Sequence, residues 1–178
     1  MKGNFDQCLD WLLAHEGGFV NDSRDSGGIT NKGITGRVYA QWLADTMDVD
    51  TEVTEEVMRN IPDSHVEQIY RQEYWNRVAG DRLPAGLDWA VFDWAVNSGV
   101  GRSARTLQKI IGVTADGGIG PQTLAAVAEH DTEQLITDMH GRRQAFYERL
   151  KTFEHFGKGW TRRNEETLHQ AIELCRGQ

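Results

Sequence analysis

Residues 86–98 place the strongest constraint on how this chain can fold. The segment reads Gly-Leu-Asp-Trp-Ala-Val-Phe-Asp-Trp-Ala-Val-Asn-Ser, and only Asp88 and Asp93 interrupt its apolar run before the polar end. A helix of this composition is apolar on nearly every side and must be covered by other elements. We therefore predict a central, buried helix that ends at Gly99.

The other patterns predict a mainly α fold. Apolar periodicity and capping residues indicate helices at 4–15, 37–47, 54–60, 62–78, 103–111, 121–130, 131–153 and 160–175. Between Gly17 and Gly36, six glycines in twenty residues accompany β-branched side chains, which favours a small β-hairpin or ribbon after the first helix. No repeat or flexible linker divides the chain, so we expect one mostly helical domain.

Composition excludes several classes of protein. The 178 residues are 39% hydrophobic and include six tryptophans, which is typical of a globular chain. No run approaches the roughly 18 apolar residues of a membrane span, and the first residues lack a secretory signal, so we expect synthesis in the cytoplasm without stable membrane insertion. The two cysteines and six histidines show no metal-ligand spacing, and we expect neither a metal nor another cofactor.

Charge is distributed unevenly. Residues 1–70 carry 5 basic and 13 acidic groups, whereas residues 71–178 carry 14 of each. Residues 142–163 contain seven basic groups and only two acidic ones, Glu148 and Glu154. The overall charge of −8 argues against a nucleic-acid partner. The basic stretch is either a solvated helix face or a contact for an anionic polymer.

The residues capable of chemistry concentrate between His15 and Thr35. Glu16 stands at the end of the first predicted helix, Asp25 follows after eight intervening residues, and Thr30 follows after four more. Glycoside hydrolysis uses one carboxylic acid to protonate the leaving oxygen and a second polar group to hold water or stabilise the oxocarbenium ion. Such residues also serve turns in glycine-rich loops, so the spacing leaves both interpretations open.

Longer strings resemble a known family. Residues 16–22 (Glu-Gly-Gly-Phe-Val-Asn-Asp) and 25–35 (Asp-Ser-Gly-Gly-Ile-Thr-Asn-Lys-Gly-Ile-Thr) resemble the signature of glycoside hydrolase family 108. These are lysozyme-like N-acetylmuramidases found as phage and prophage endolysins. Trp75-Asn76 and residues 87–99 resemble the family's central segment, and residues 105–109 and 116–123 are similar to its predicted peptidoglycan-binding region.

The resemblance assigns roles to individual residues. It implies that Glu16 is the catalytic acid, with Asp25 as the candidate partner that places a water or stabilises positive charge. Asp22 is the alternative partner. Thr30 is a third candidate, whose hydroxyl would hold the nucleophilic water or would serve the ribbon structurally. Four residues separate Asp25 from Thr30, against five in phage lysozymes.

Three further residues are candidates for substrate binding. Asn97 lies on the predicted central helix and either reaches the cleft or satisfies a helix end in the core. Tyr74 and Trp75 could stack on sugar rings, but their helical spacing favours core positions. The resemblance implies a lysozyme-like catalytic part at 1–98 and a peptidoglycan-binding part at 99–178, packed into one globule that we expect to be a monomer.

The implied activity is hydrolysis of the β-1,4 bond between N-acetylmuramic acid and N-acetylglucosamine in peptidoglycan glycan strands. The alternatives are a non-catalytic peptidoglycan-binding or secretion-activator protein, and a lytic transglycosylase or chitinase on the same fold. The resemblance also implies action at the cell wall after release through a holin or a secretion pathway.

Overall fold

The computed structural model describes residues 3–21 and 28–177. They divide into two compact units: an N-terminal unit of residues 7–71, and a C-terminal unit of residues 72 onward with the first residues up to Asp6. The fold is mainly α with one small antiparallel sheet, as predicted. The helices are α1 (Phe5–His15), α2 (Gly36–Met47), α3 (Glu55–Arg59), α4 (Asp63–Tyr70), α5 (Leu87–Ser98), α6 (Val100–Ile110), α7 (Pro121–Val127), α8 (Thr132–Glu148) and α9 (Phe153–Arg176).

The glycine-rich segment forms three short strands in the N-terminal unit. They are β1 (Val20–Asn21), β2 (Ile29–Asn31) and β3 (Ile34–Thr35), and they pair in the order β1-β2-β3. Val20 pairs with Thr30, and Thr30 also pairs with Thr35. The Thr35 hydroxyl then accepts a hydrogen bond from the Val38 amide, which caps α2 and ends the sheet. The predicted ribbon is thus confirmed.

Helix α5 is the core of the C-terminal unit, as its composition predicts. Every residue from Leu87 to Ala95 is buried. The helices α6, α8 and α9 all contact α5, so its apolar surface is covered on several sides. The aromatic rings of Phe5 and Trp75 pack with Phe92 on this helix at centroid distances of 5.3–6.1 Å.

The two aspartates of α5 are both satisfied in the core. Asp88 accepts hydrogen bonds from the Gly86 and Trp89 amides, at 2.8 and 2.7 Å, and from the Asn4 side chain at 2.9 Å. Burial is the main cause that raises the pKa of Asp88, from 3.8 to about 6. The amides of the first helical turn lack partners within the helix, and the Asp88 side chain supplies acceptors for two amides at the start of α5.

Asp93 joins three helices. Its carboxylate is fully buried and lies 2.7 Å from guanidinium nitrogens of both Arg143 on α8 and Arg163 on α9. Burial acts to raise the pKa of Asp93, but the two guanidinium groups outweigh it and hold the pKa at about 2. Arg143 and Arg163 belong to the basic stretch of 142–163, so part of that stretch is a core element and not a solvated face.

Two helix predictions differ from the structure. The helix expected over 62–78 is α-helical only to Tyr70, and a π-helical turn at Arg71–Trp75 and a 3-10 turn at Asn76–Val78 follow. This change lies where the chain passes from one unit to the other.

The last helix break is also displaced from the prediction. The sequence favoured a break around residues 156–160, because two glycines lie there. The break falls instead at residues 149–152, and α9 continues through Gly157 and Gly159. The buried Gly157 lies directly against the ring of Phe153, where a side chain would collide, so packing keeps this glycine inside a helix.

Across the described residues, none of the helices combines the length and apolar character needed to cross a bilayer. Neither Cys8 nor Cys175 forms a disulfide, and Cys8 is buried.

Candidate active site

Glu16 is held at the end of a rigid helix. The last residue of α1 is His15, and the Glu16 amide still donates to the Leu12 carbonyl at 3.1 Å. Leu12 is completely buried, which anchors this end of the helix. The Glu16 side chain is half-buried. The protein therefore fixes the backbone that carries this carboxyl group, while the side chain stays partly exposed.

A tight turn between β2 and β3 lies against this carboxyl group. The turn consists of Lys32 and Gly33, which have φ values of 50° and 75°, and Asn31 pairs with Ile34 on either side. Positive φ at both central residues is the geometry of a two-residue hairpin turn that matches strand twist. The Asn31 amide group donates to the Met58 carbonyl at 2.7 Å, which ties the hairpin to α3.

Gly33 brings the turn into contact with Glu16 and Tyr70. A β-carbon at position 33 would stand 2.8 Å from Oε2 of Glu16 and 2.5 Å from the hydroxyl oxygen of Tyr70. The Tyr70 hydroxyl donates to the Lys32 carbonyl at 2.8 Å, so it holds the turn from the end of α4. Only glycine satisfies both the backbone angle and this close approach.

Ion pairing fixes the same turn from outside. The Lys32 ammonium group pairs with Asp63 at the start of α4. Tyr70 stands at the other end of α4, so both ends of this helix hold the turn. The carboxyl group of Glu16 thus faces backbone that is fixed from several directions, which is what a positioned proton donor requires.

The other catalytic candidates are Thr30, Asp25 and Asp22, and the structure describes only the first of them. Thr30 is half-buried in the middle of β2, and its hydroxyl donates to the Gly28 carbonyl at 3.3 Å. This bond is local to the ribbon. Asp25 and its alternative Asp22 lie outside the described residues, so their roles stay predictions.

The three candidates for substrate binding all lie in the C-terminal unit. Trp75 is 0% exposed, packs against Phe5 and Phe92, and donates from its indole nitrogen to Asp81 at 2.9 Å. As placed, this ring is part of the core and offers no face on which a sugar could stack. Tyr74 is half-buried.

Asn97 is exposed on the last turn of α5, and not buried as its position on the central helix suggested. Its side-chain oxygen accepts hydrogen bonds from the hydroxyls of Tyr147, at 2.6 Å, and Ser98, at 2.8 Å. These bonds connect the end of α5 to α8. Among the described residues, nothing accepts a hydrogen bond from the amide nitrogen of Asn97, which is therefore the group available to a ligand.

Sequence reasoning missed Gly33 and Tyr70 as parts of the site. Tyr70 fitted the apolar side of the predicted 62–78 helix, and one hydroxyl on such a face gives no signal of its own. Gly33 carried a weak signal, because Asn-Lys-Gly-Ile between β-branched residues is typical of a hairpin turn. What the turn approaches is a matter of tertiary structure.

No group of three or more His, Cys, Asp or Glu residues suited to a metal ion occurs in the part of the chain that the structure describes. A glutamic acid fixed at a helix end can transfer a proton to a bound oxygen, and a backbone turn beside it can position the group that receives the proton.

Similarity to known proteins assigns this chain to a family. Residues 9–99 match the family model described as Glycosyl hydrolase 108, and residues 102–165 match the one described as Predicted Peptidoglycan domain. The solved structure of Brucella abortus SagA is 38% identical, covers 99% of this chain and 98% of its own, and superposes with a TM-score of 0.86. No curated protein matches the chain. The chain therefore belongs to glycoside hydrolase family 108, and a predicted peptidoglycan domain follows its hydrolase part.

Proposed function

We propose that this protein is an N-acetylmuramidase that hydrolyses the β-1,4 bond between N-acetylmuramic acid and N-acetylglucosamine, with Glu16 as the general acid. The single observation that carries the proposal is the placement of the Glu16 carboxyl group at the end of α1, against the Gly33 turn. The family supplies the reaction class, and the peptidoglycan domain supplies the polymer. The bond within that polymer and the residue that acts on it are our inference.

In the proposed reaction, the Glu16 carboxyl group donates its proton to the glycosidic oxygen. The bond between that oxygen and C1 of the muramic acid breaks, and positive charge develops on C1 and the ring oxygen. Asp25 is the proposed second group, which stabilises this charge or places the attacking water. The water oxygen adds to C1 and loses a proton to solvent, Glu16 regains a proton from solvent, and the product has a reducing muramic acid end.

The structure supports a positioning role for Tyr70 and Gly33. Tyr70 holds the Lys32 carbonyl, and the absence of a side chain at Gly33 allows the turn to lie beside Glu16. A general acid works only when its carboxyl group and the leaving oxygen come within hydrogen-bond distance. We infer that these two residues maintain the orientation of Glu16 without contacting the reacting atoms.

Digestion of purified peptidoglycan by the wild type and by Glu16→Gln tests the proposal, with mass spectrometry of the soluble products. We expect reducing muramic acid ends from the wild type and a loss of at least about a hundredfold in rate for Glu16→Gln, the usual contribution of a general acid. Glu52→Gln is the matched control, because Glu52 is an exposed glutamate of the same unit. Equal unfolding midpoints would show that the loss is chemical.

Other products would refute the proposal in specific ways. Anhydromuramic acid ends would indicate a lytic transglycosylase, and reducing N-acetylglucosamine ends would indicate cleavage of the other glycosidic bond. Cleavage of chitin oligomers in preference to peptidoglycan would indicate a chitinase. Binding to peptidoglycan with no products from the wild type would indicate a protein that binds the wall without cutting it.

A further inference from the structure

A cationic pocket lies between α6 and α8, within the C-terminal unit. Its volume is about 270 Å³, just below the roughly 300–1,000 Å³ range of ligand pockets. Four cationic side chains line it together with Thr106 and two aromatic rings, Trp94 and Phe146. The cations are Arg102, Lys109, Arg142 and Arg149.

The charges of this pocket are not neutralised by the protein. Among the described residues, none of the four cations forms an ion pair, and no carboxylate lines the pocket. All four side chains are exposed. This contrasts with Arg143 and Arg163, which the fold uses to neutralise Asp93. In a chain of net charge −8, four unpaired cations around one small pocket favour an anionic ligand.

The aromatic residues give the pocket a fixed and partly apolar wall. The Arg102 guanidinium group lies 4.4 Å from the centre of the Phe146 ring and donates to the Ser98 carbonyl at 2.9 Å, so its position is held. Trp94 is 2% exposed, and its indole nitrogen has no hydrogen-bond partner among the described residues. A buried donor without a partner is unusual in a folded protein.

We propose that this pocket binds the free carboxylates of the peptide stems of peptidoglycan, an inference that rests on the proposed function. Peptide stems carry several carboxylates separated by short aliphatic side chains. The cations suit the carboxylates, and the half-buried ring of Phe146 suits the aliphatic groups. The small volume suits the end of one stem and not a folded partner. The pocket would thereby attach the protein to the peptide part of the polymer whose glycan it cleaves.

The test is calorimetric titration of the full chain with a synthetic stem, L-Ala-γ-D-Glu-meso-diaminopimelate-D-Ala, and with the same peptide amidated at its carboxyl groups. The pocket variant is Lys109→Gln with Arg142→Gln. The matched control is Lys151→Gln with Lys158→Gln, which removes the same charge from exposed positions of the same unit outside this pocket. Unfolding midpoints of both variants should equal that of the wild type, because all four side chains are exposed and unpaired.

We expect the pocket variant to bind the stem about tenfold more weakly than the wild type, and the control variant to change affinity less than about twofold. The amidated peptide should not bind. Equal affinity of the two variants, binding of the amidated peptide, or no binding of the stem to the wild type would each overturn the proposal. Binding of a polyglycerol phosphate in place of the stem would also overturn it and reassign the pocket to phosphates.

This experiment is independent of the catalytic proposal, because the stem peptide contains no glycosidic bond. If the protein cleaves peptidoglycan as a muramidase but the pocket variant binds the stem as well as the control variant does, only the inference about the stem is refuted. A pocket that binds the stem in a protein whose Glu16→Gln variant still digests peptidoglycan would refute only the role of Glu16.

Discussion

Replacing Gly33 by alanine tests whether the turn beside Glu16 is needed for activity. Position 33 has a φ of 75°, and a left-handed backbone angle costs a non-glycine residue about 1–2 kcal/mol. The new methyl group would also stand 2.5 Å from the Tyr70 hydroxyl and 2.8 Å from Oε2 of Glu16. Overpacking of this kind costs about 1–3 kcal/mol more. We expect a total destabilisation of about 2–5 kcal/mol.

The two contacts should respond differently. The Tyr70 ring is 1% exposed and cannot move aside, so the free energy of unfolding should fall mainly through this contact. Glu16 is half-buried, and its carboxyl group can swing away from the methyl group. We therefore expect the digestion rate of the folded variant to fall by at least about tenfold, since misplacement of a catalytic group by about 1 Å can cost a hundredfold.

Gly28→Ala is the matched control. Gly28 belongs to the same unit and has a φ of 64°, but a β-carbon there would come within 4 Å of none of the residues that the structure describes. In Gly28→Ala, the free energy of unfolding should therefore fall only through the left-handed backbone angle, by about 1–2 kcal/mol. Urea unfolding followed by circular dichroism gives the free energies, and release of soluble peptidoglycan fragments gives the rates. If Gly33→Ala and Gly28→Ala behave alike in both assays, the close approach to Glu16 has no functional role.

Three further predictions follow from the acidic residues. Asp93→Asn should destabilise the protein by about 3–5 kcal/mol, because it removes the buried carboxylate that the Arg143 and Arg163 guanidinium groups share; urea unfolding measures this, and a loss below 1 kcal/mol would contradict it. The folded pKa of Asp88, about 6, exceeds its ordinary value of 3.8, so Asp88 contributes about 3 kcal/mol of stability that is full below pH 3.8 and is lost as the pH rises through 6. In Asp88→Asn, the free energy of unfolding should therefore depend less on pH between about pH 4 and 7. An unchanged pH dependence would refute this assignment. If Asp25 is the catalytic partner, Asp25→Asn should lower the rate of peptidoglycan digestion at least tenfold more than Asp22→Asn, and the reverse order would identify Asp22.

Several features of the fold could be predicted from local sequence. The buried α5 follows from an apolar run too dense for any exposed helix, and α1 follows from its amphipathic spacing. The ribbon follows from glycines that permit turns between β-branched residues. In each case, the deciding interactions involve residues near in sequence, so the pattern itself carries the information.

Side-chain packing decided two points that the sequence left open or placed differently. The helix expected to break around residues 156–160 continues through Gly157. The Phe153 ring occupies the space that a side chain at position 157 would need, so glycine fits inside this helix. Trp75 is a core residue and not an available sugar platform, because Phe5 and Phe92 lie against it. Contacts with neighbouring side chains override local preference in these places, and a single sequence does not show which neighbours a residue will have.

The sequence by itself determined the type of fold, the location of Glu16 at a helix end and the family resemblance, because these depend on short strings and on periodicity. Only the tertiary structure decided what surrounds Glu16: Gly33 and Tyr70 reach it from 17 and 54 residues further along the chain. The same holds for the basic stretch, in which Arg143 and Arg163 enter the core while Arg142 and Arg149 face an open pocket. Residues adjacent in sequence point to different sides of a helix, so their environments are set by packing.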